Sequence, residues 1–301
     1  MKKPFGFYLV SIIIFGLLTI LVTPLIGPTK ISFESLWSGG LEQDILLNLR
    51  LPRIIFAFLV GFILSMIGTV FQALLRNELA TPYTLGVSSG GALGAVIAIK
   101  SGLAITFLGF STTVLFSIAG SMITILVIYL IAKGKAGLSP VTLILTGVTL
   151  SLLFSSVILF IHYLADFTET YRMIRWLMGG LQISGWQYSL VLIPFTLLAF
   201  IYFVRSASAI NIMSAGTELA LSKGVNVNRL QMRAFFGGSF LIGIVVAFAG
   251  PIGFVGLIIP HLLRLLVGPD HRRLLVAAPL FGGIFLMWCD TLARTIISPA
   301  E

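Results

Sequence analysis

Residues 104–132 carry no charged side chain. The run exceeds the roughly 20 residues an α-helix needs to cross a bilayer. In lipid a backbone must pair its own N–H and C=O groups, so a run like this is expected to be a spanning helix. It is one of nine. The apolar segments lie at about 5–26, 54–75, 85–100, 104–132, 140–163, 187–204, 233–251, 256–268 and 274–297. The third and eighth are short for a full crossing, which fits half-helices or strongly buried ones. Of 301 residues 58% are hydrophobic and 10% charged, whereas a soluble domain has about 25% charged residues. The expected fold is all-α, a polytopic transmembrane helical bundle of about nine spans, with 1–301 as a single domain.

The net charge of +9 does not point to nucleic acid, because the basic residues sit in short groups between apolar runs, as in cytoplasmic loops. With the N-terminus in the cytoplasm, Lys30, Arg50, Arg53, Lys100, Arg172, Arg175 and Arg294 fall outside, and the other twelve of the 19 Lys and Arg fall inside. That bias supports a cytoplasmic N-terminus. Lys2 and Lys3 before an apolar run resemble a signal peptide, but no small-residue cleavage site follows, so the run is expected to stay as the first span. Cys289 is the one cysteine and reads as a small core residue.

Two outer stretches look structured. Residues 32–48 fit a short interfacial helix, and 170–185 carry Tyr171 and Trp176, with Trp186 beside them, aromatics that suit the headgroup zone. Small residues recur in the spans, with Gly61, Ser65 and Gly68 in the second and Gly237, Gly238 and Gly243 in the seventh. Such faces let helices pack closely in lipid. Together with Gln72, and with Thr142, Thr146 and Thr149 of the fifth span, the second-span residues are candidates to line a translocation path; helix packing is the alternative use.

Recognisable catalytic chemistry is missing from the sequence. It has no GxxxxGK[ST] phosphate loop and no HExxH, its three histidines are far apart, and no metal site or bound cofactor is implied. Asp290 is the one carboxylate candidate for ion coupling inside a span. Arg294, four residues on, lies on the same helical face, and an ion pair is the economical reading. A transporter with neither a coupling carboxylate nor an ATP site needs an outside energy source, which points to a partner ATPase.

The longest inner loop is 205–233. Within it, SAGTELALSKGVNVNR (214–229) reads as one short helix. Ser214 or Thr217 would cap it, Glu218 would sit in its first turn, and Gly224 would stop it. It could dock a partner through Leu219, Ala220 and Leu221, or be an ordinary connector. Further on, GLIIPHLLRLLVGPDHRR (256–273) sets Pro260, His261 and Arg264 within apolar sequence. These three should face protein or an inner mouth rather than lipid. Asp290 is placed with them as a structural residue.

Several motifs carry a resemblance. They are LRLPR (49–53), RNELATPYTLGVSSGGALGAV (76–96), WLMGGL (176–181), GTELALSKGV (216–225), FVGLIIPHLLRLLVGPDHRR (254–273) and CDTLART (289–295). In this order, over nearly the whole chain, they resemble the FecCD-type permease subunits of bacterial ABC importers for iron–siderophore complexes, haem or vitamin B12. The resemblance implies a multi-pass protein of the bacterial plasma (inner) membrane that is not itself an enzyme. It would work beside a second permease copy or paralogue, two cytoplasmic ATP-binding subunits and an extracytoplasmic substrate-binding protein. It also implies that Gly216, Thr217, Glu218, Ala220 and Gly224 couple to the ATPase. Arg50, Arg53 and Arg294 would meet acidic groups of the binding protein; interfacial snorkelling is their plainer alternative.

The chain departs from the family at Glu78, where a proline is usual, and at Lys223, where leucine is favoured. The family has ten spans, so a chain stopping at Glu301 is expected to be truncated by one. The leading function is a permease subunit of an ATP-driven importer working by alternating access, with an iron–siderophore chelate as the default cargo. Haem or cobalamin remain alternatives, and an ion-coupled secondary transporter is the other class.

Overall fold

Hydroxyls inside apolar helices can find a partner within the helix, and several here do. Thr19, Thr149, Ser151, Ser156, Thr196 and Thr291 each donate to the carbonyl four residues back, at 2.7–3.0 Å. Helix is thus preserved through residues that would leave a polar group unsatisfied in lipid. The computed structural model describes residues 4–27, 40–81, 83, 85–134, 137–183 and 185–296.

Twelve helices occur among the described residues. They are α1 (Phe5–Val22), α2 (Leu41–Leu75), α3 (Val87–Ser101), α4 (Thr112–Ala132), α5 (Pro140–Tyr163), α6 (Phe167–Leu177), α7 (Gln187–Arg205), α8 (Ala207–Ala215), α9 (Thr217–Ser222), α10 (Val227–Ala249), α11 (Val255–Val267) and α12 (His271–Ile296). Seven are long and apolar enough to cross a membrane, with α3 and α11 the shorter apolar ones. That matches the nine apolar segments, including the two expected to be short.

The boundaries differ at two places. Residues 104–111 are not helix: Thr106–Phe107 pairs antiparallel with Phe110–Ser111 around a Leu108–Gly109 turn in which both residues have positive φ. Thr112 Oγ1 closes this ribbon by accepting from the Ile105 N–H at 2.8 Å and donating to the Ile105 carbonyl at 2.9 Å. Apolar composition hid the turn. Of the interfacial helix expected at 32–48, residues 32–39 lie outside the described residues, and the rest begins α2. A π-helical stretch, Ile45–Arg50, interrupts α2 there. Two of its carbonyls bond elsewhere, Leu47 accepting from Trp186 Nε1 at 3.2 Å and Asn48 from the Gly185 N–H at 3.0 Å.

The chain divides into two compact units. Unit one holds the chain up to Met66, Leu181–Arg205 and the chain from Ile258. Here α1 lies along α12, with Trp288 Nε1 donating to Thr19 Oγ1 at 3.0 Å. The first half of α2 packs on α7 through Phe62 and Phe200, whose ring centroids are 5.3 Å apart.

Unit two holds Ile67–Gly180 and Ser206–Leu257. Its hub is α3, begun and ended by Gly86 (φ 74) and Gly102 (φ 64) in left-handed conformations. A β-carbon at Gly94 would overlap the Phe116 carbonyl of α4, so only glycine allows that approach. The short helix α6 covers a core of Ala92, Val96, Ile99, Ile158 and Met173. A reciprocal Asp166–Glu169 capping box starts it. Lys100 Nζ reaches Glu169 Oε2 at 2.7 Å, and this hydrogen bond holds the Glu169 carboxyl below its usual pKa. Of the structured outer stretch expected at 170–185, residues 170–177 fall in α6.

Candidate functional site

The segment 214–229 is not one helix. The backbone breaks at Gly216 (φ 155), which is the N-cap of α9, with no side-chain cap from Ser214 or Thr217. The helix runs for only six residues, to Ser222, with Lys223 as its C-cap and Gly224 just beyond. There the Gly224 N–H bonds the Leu221 carbonyl at 3.0 Å and the Val225 N–H bonds the Ala220 carbonyl at 2.9 Å. This ending requires a left-handed residue, and Gly224 supplies φ 75 at no steric cost. The chain then restarts as α10, whose cap Asn226 accepts the Arg229 N–H at 3.0 Å. Two glycine breaks and one asparagine cap thus cut a short piece out of the loop.

Within α9, Ala220 is fully buried and anchors the helix, while Leu219 and Leu221 are 45% and 60% exposed. Thr217 and Glu218 are exposed in the first turn. The free face therefore offers two leucines and one carboxylate. A residue the sequence reading left without a role, Arg76, reaches this element. Its Nε donates to the Met213 carbonyl at 3.2 Å and its Nη2 to Thr217 Oγ1 at 2.5 Å. The only hint in the sequence is an arginine at the foot of an apolar run, directly before Asn77.

In unit one, Asp290 is held mainly by Arg53 rather than by Arg294. Arg53 Nε lies 2.9 Å from Asp290 Oδ2 and 3.1 Å from Oδ1, and Nη2 lies 2.7 Å from Oδ1. This bidentate geometry is the strong form of the pair. Arg294 Nε approaches Asp290 Oδ2 only to 3.9 Å. Its Nη2 instead donates to the Thr23 carbonyl at 2.9 Å, and Arg50 Nη1 donates to the Pro24 carbonyl at 3.0 Å. Two cations thus satisfy carbonyls just past the C-terminus of α1, where the helix dipole favours positive charge.

Two expectations change. Asp290 belongs to this arginine cluster and not with the inner-mouth residues. Arg50 and Arg294 are 2% and 1% exposed, so they do not present a docking face; they are internal braces. Arg53 is somewhat more open, with 14% of its side chain exposed.

The candidate path residues of α2 lie at close helix contacts. Gly61, Ser65, Gly68 and Gln72 are buried. In unit one, a β-carbon at Gly61 would overlap the Gly282 carbonyl of α12, and Ser65 fills the space beside Gly282. In unit two, a β-carbon at Gly68 would overlap the Gly256 carbonyl of α11, and Gln72 Nε2 donates to the Leu257 carbonyl at 3.5 Å. These residues set close helix contacts. The threonines of α5 are graded instead. Thr146 is buried, Thr142 half-buried, and Thr149 exposed with its hydroxyl returned to the Leu145 carbonyl.

Pro260 lies inside α11, which continues through it. Lacking an N–H, it leaves the Gly256 carbonyl without its helical donor, the same carbonyl that Gly68 allows α2 to approach. Pro260 is buried, His261 exposed and Arg264 half-buried. After the Gly268 turn (φ 89), Asp270 Oδ1 accepts the Arg272 N–H at 2.9 Å where α12 begins. Among the described residues no three His, Cys, Asp or Glu side chains gather in a way that could hold a metal ion.

Residues 12–301 match the model of the FecCD transport family. An uncharacterised ABC transporter permease of Bacillus subtilis, YvrB, is 39% identical over 99% of this chain and 86% of its own length. The hemin transport system permease HmuU of Yersinia pestis is 35% identical over 98% of this chain and 88% of its own. A solved inward-facing structure of a putative metal-chelate-type ABC transporter is 30% identical, with a TM-score of 0.87 over 97% of this chain and 92% of that one.

Proposed function

Because the chain belongs to the FecCD transport family, and is thus a multi-pass, non-catalytic permease subunit of an ABC transporter, we propose that it forms the path of an ATP-driven importer for an iron–siderophore-type chelate. The observation that carries the energy-coupling part is α9. A six-residue helix between glycine breaks, anchored by Ala220 and presenting Glu218, Leu219 and Leu221, suits insertion into a groove of a cytoplasmic ATP-binding subunit. Gly216, Thr217, Glu218, Ala220 and Gly224 make up this coupling element.

In this reading the protein sits in the bacterial plasma membrane with its N-terminus in the cytoplasm, and 1–301 act as one permease domain. It pairs with a second copy or a paralogue, with two ATP-binding subunits and with an extracytoplasmic binding protein. ATP binding and hydrolysis in the partner move α9, and the two gates open in turn. Thr142, Thr146 and Thr149 of α5 are the path residues retained. Docking of the binding protein is assigned to the α1–α2 end of unit one. There Arg50 and Arg294 act from within by bracing the Thr23–Leu25 turn, and Arg53 by holding Asp290. Pro260, His261 and Arg264 belong to the inner mouth.

The iron–siderophore cargo is supported by the metal-chelate-type structure, and haem by the hemin permease of similar identity; cobalamin is the remaining alternative. An ion-coupled secondary transporter is disfavoured by Asp290, which Arg53 already neutralises. Uptake into proteoliposomes holding the permease, its ATPase and its binding protein tests the proposal. Ferric hydroxamate, hemin and cyanocobalamin should be compared with and without internal ATP. ATP-dependent uptake of the ferric chelate alone is expected. Uptake driven by a proton or sodium gradient without ATP would overturn the importer reading.

A further inference from the structure

We infer that Arg76 is the positioning residue through which movement of α9 is passed to α2. The inference rests on reading residues 216–224 as the ATPase-coupling element. Arg76 follows the last residue of α2 and has φ 49, a left-handed conformation that favours glycine and is costly for a long side chain. The Arg76 N–H bonds the Ala73 carbonyl at 3.3 Å and the Asn77 N–H bonds the Gln72 carbonyl at 3.1 Å. This is a helix ending where glycine or asparagine would do better. A snorkelling arginine needs no such backbone.

What holds Arg76 there is the pair of bonds to Met213 and Thr217. These acceptors lie on either side of the Gly216 break, one near the end of α8 and one opening α9. The guanidinium fork spans both, which a point-charge ammonium cannot do equally well. The Met213 carbonyl also accepts the Gly216 N–H at 3.2 Å, so the bonds converge on the hinge itself.

Both ends of the link are firm. Beyond Arg76, Asn77 Oδ1 accepts the Leu79 N–H at 2.9 Å and the Asn77 carbonyl accepts the Ala80 N–H at 3.0 Å, which fixes the turn. Before it, Ala73, Leu74 and Leu75 are buried. One turn further back, Gln72 bonds Leu257, and Gly68 lies against Gly256 at the start of α11. A displacement of α9 therefore reaches α2 at Arg76 and passes on to α11 without crossing a loose joint.

Two measurements test this. In the permease alone, hydrogen exchange of the 208–222 amides is compared between the parent, Arg76→Gly and Arg76→Lys. The glycine variant removes the guanidinium while accepting the left-handed backbone. Its amides should exchange roughly tenfold faster, with Arg76→Lys in between. In proteoliposomes with the ATPase and binding protein, the ATPase should still co-purify with Arg76→Gly, while the fold-stimulation of hydrolysis by binding protein should fall to about one. Arg76→Lys should restore part of it, which a merely structural role would not require.

Unchanged exchange in Arg76→Gly overturns the link even if the importer reading stands. Faster exchange with full stimulation overturns the transmission role. Loss of the ATPase from the complex overturns it too, by making Arg76 a docking residue. If the parent complex itself hydrolyses no ATP, the coupling reading fails, and transmission falls with it whatever the exchange data show.

Discussion

Arg53 and Arg76 are the same side chain in two settings. Arg53, in unit one, grips Asp290 with three short contacts, and its partner is almost fully buried. Arg76, in unit two, is exposed and bonds a carbonyl and a hydroxyl across a backbone hinge. The buried pair has no cheap alternative, because separating it leaves a charge in low dielectric. Water can replace the partners of Arg76 at little cost. Burial thus decides which arginine holds the fold and which can follow a moving part.

The comparison can be broken at its strong end first. Asp290→Ala should destabilise the protein by about 3–5 kcal/mol, since it strands the Arg53 guanidinium; thermal unfolding in detergent checks this. The double change Arg53→Met with Asp290→Leu should recover most of that loss, because both charges leave together. A double variant as unstable as Asp290→Ala would mean that the pair itself, and not the stranded charge, sets stability. At the weak end, Arg76→Gly should stay within about 1 kcal/mol of the parent, as relieved backbone strain offsets two exposed bonds.

The smallest expected effect is at Lys100–Glu169. The Glu169 carboxyl is held below its usual pKa in the folded protein, so its contribution is present above the unfolded value and is lost as pH falls through the folded one. Unfolding followed from pH 6 down to pH 3 should show a steeper loss in the parent than in Glu169→Gln.

The nine apolar segments were legible because run length and the absence of charge are enough to mark a helix in lipid. The glycines were legible as packing or path residues but not as one or the other. Only the backbone carbonyls of Gly282 and Gly256 reveal the close packing at Gly61 and Gly68. Asp290 was legible as half of an ion pair, yet spacing pointed to Arg294, four residues away. Arg294 does approach at 3.9 Å, but the closer partner is 237 residues away in sequence, and no local pattern records it. The 214–229 segment was readable as helical but not in shape, because Gly216 acts as a break rather than as part of a helix. Arg76 left only the hint of an arginine at the foot of an apolar run, since a left-handed conformation leaves no trace in composition or periodicity.

The most direct test of the account is ATP hydrolysis in proteoliposomes containing the permease, its ATP-binding subunit and its binding protein, with Glu218→Ala and Gly224→Leu measured beside the parent. Hydrolysis stimulated by the binding protein is expected in the parent, and the stimulation should be lost in both variants, as the carboxylate face and the left-handed stop of α9 are removed. Stimulation that persists undiminished in both variants would contradict the claim that α9 receives the ATPase.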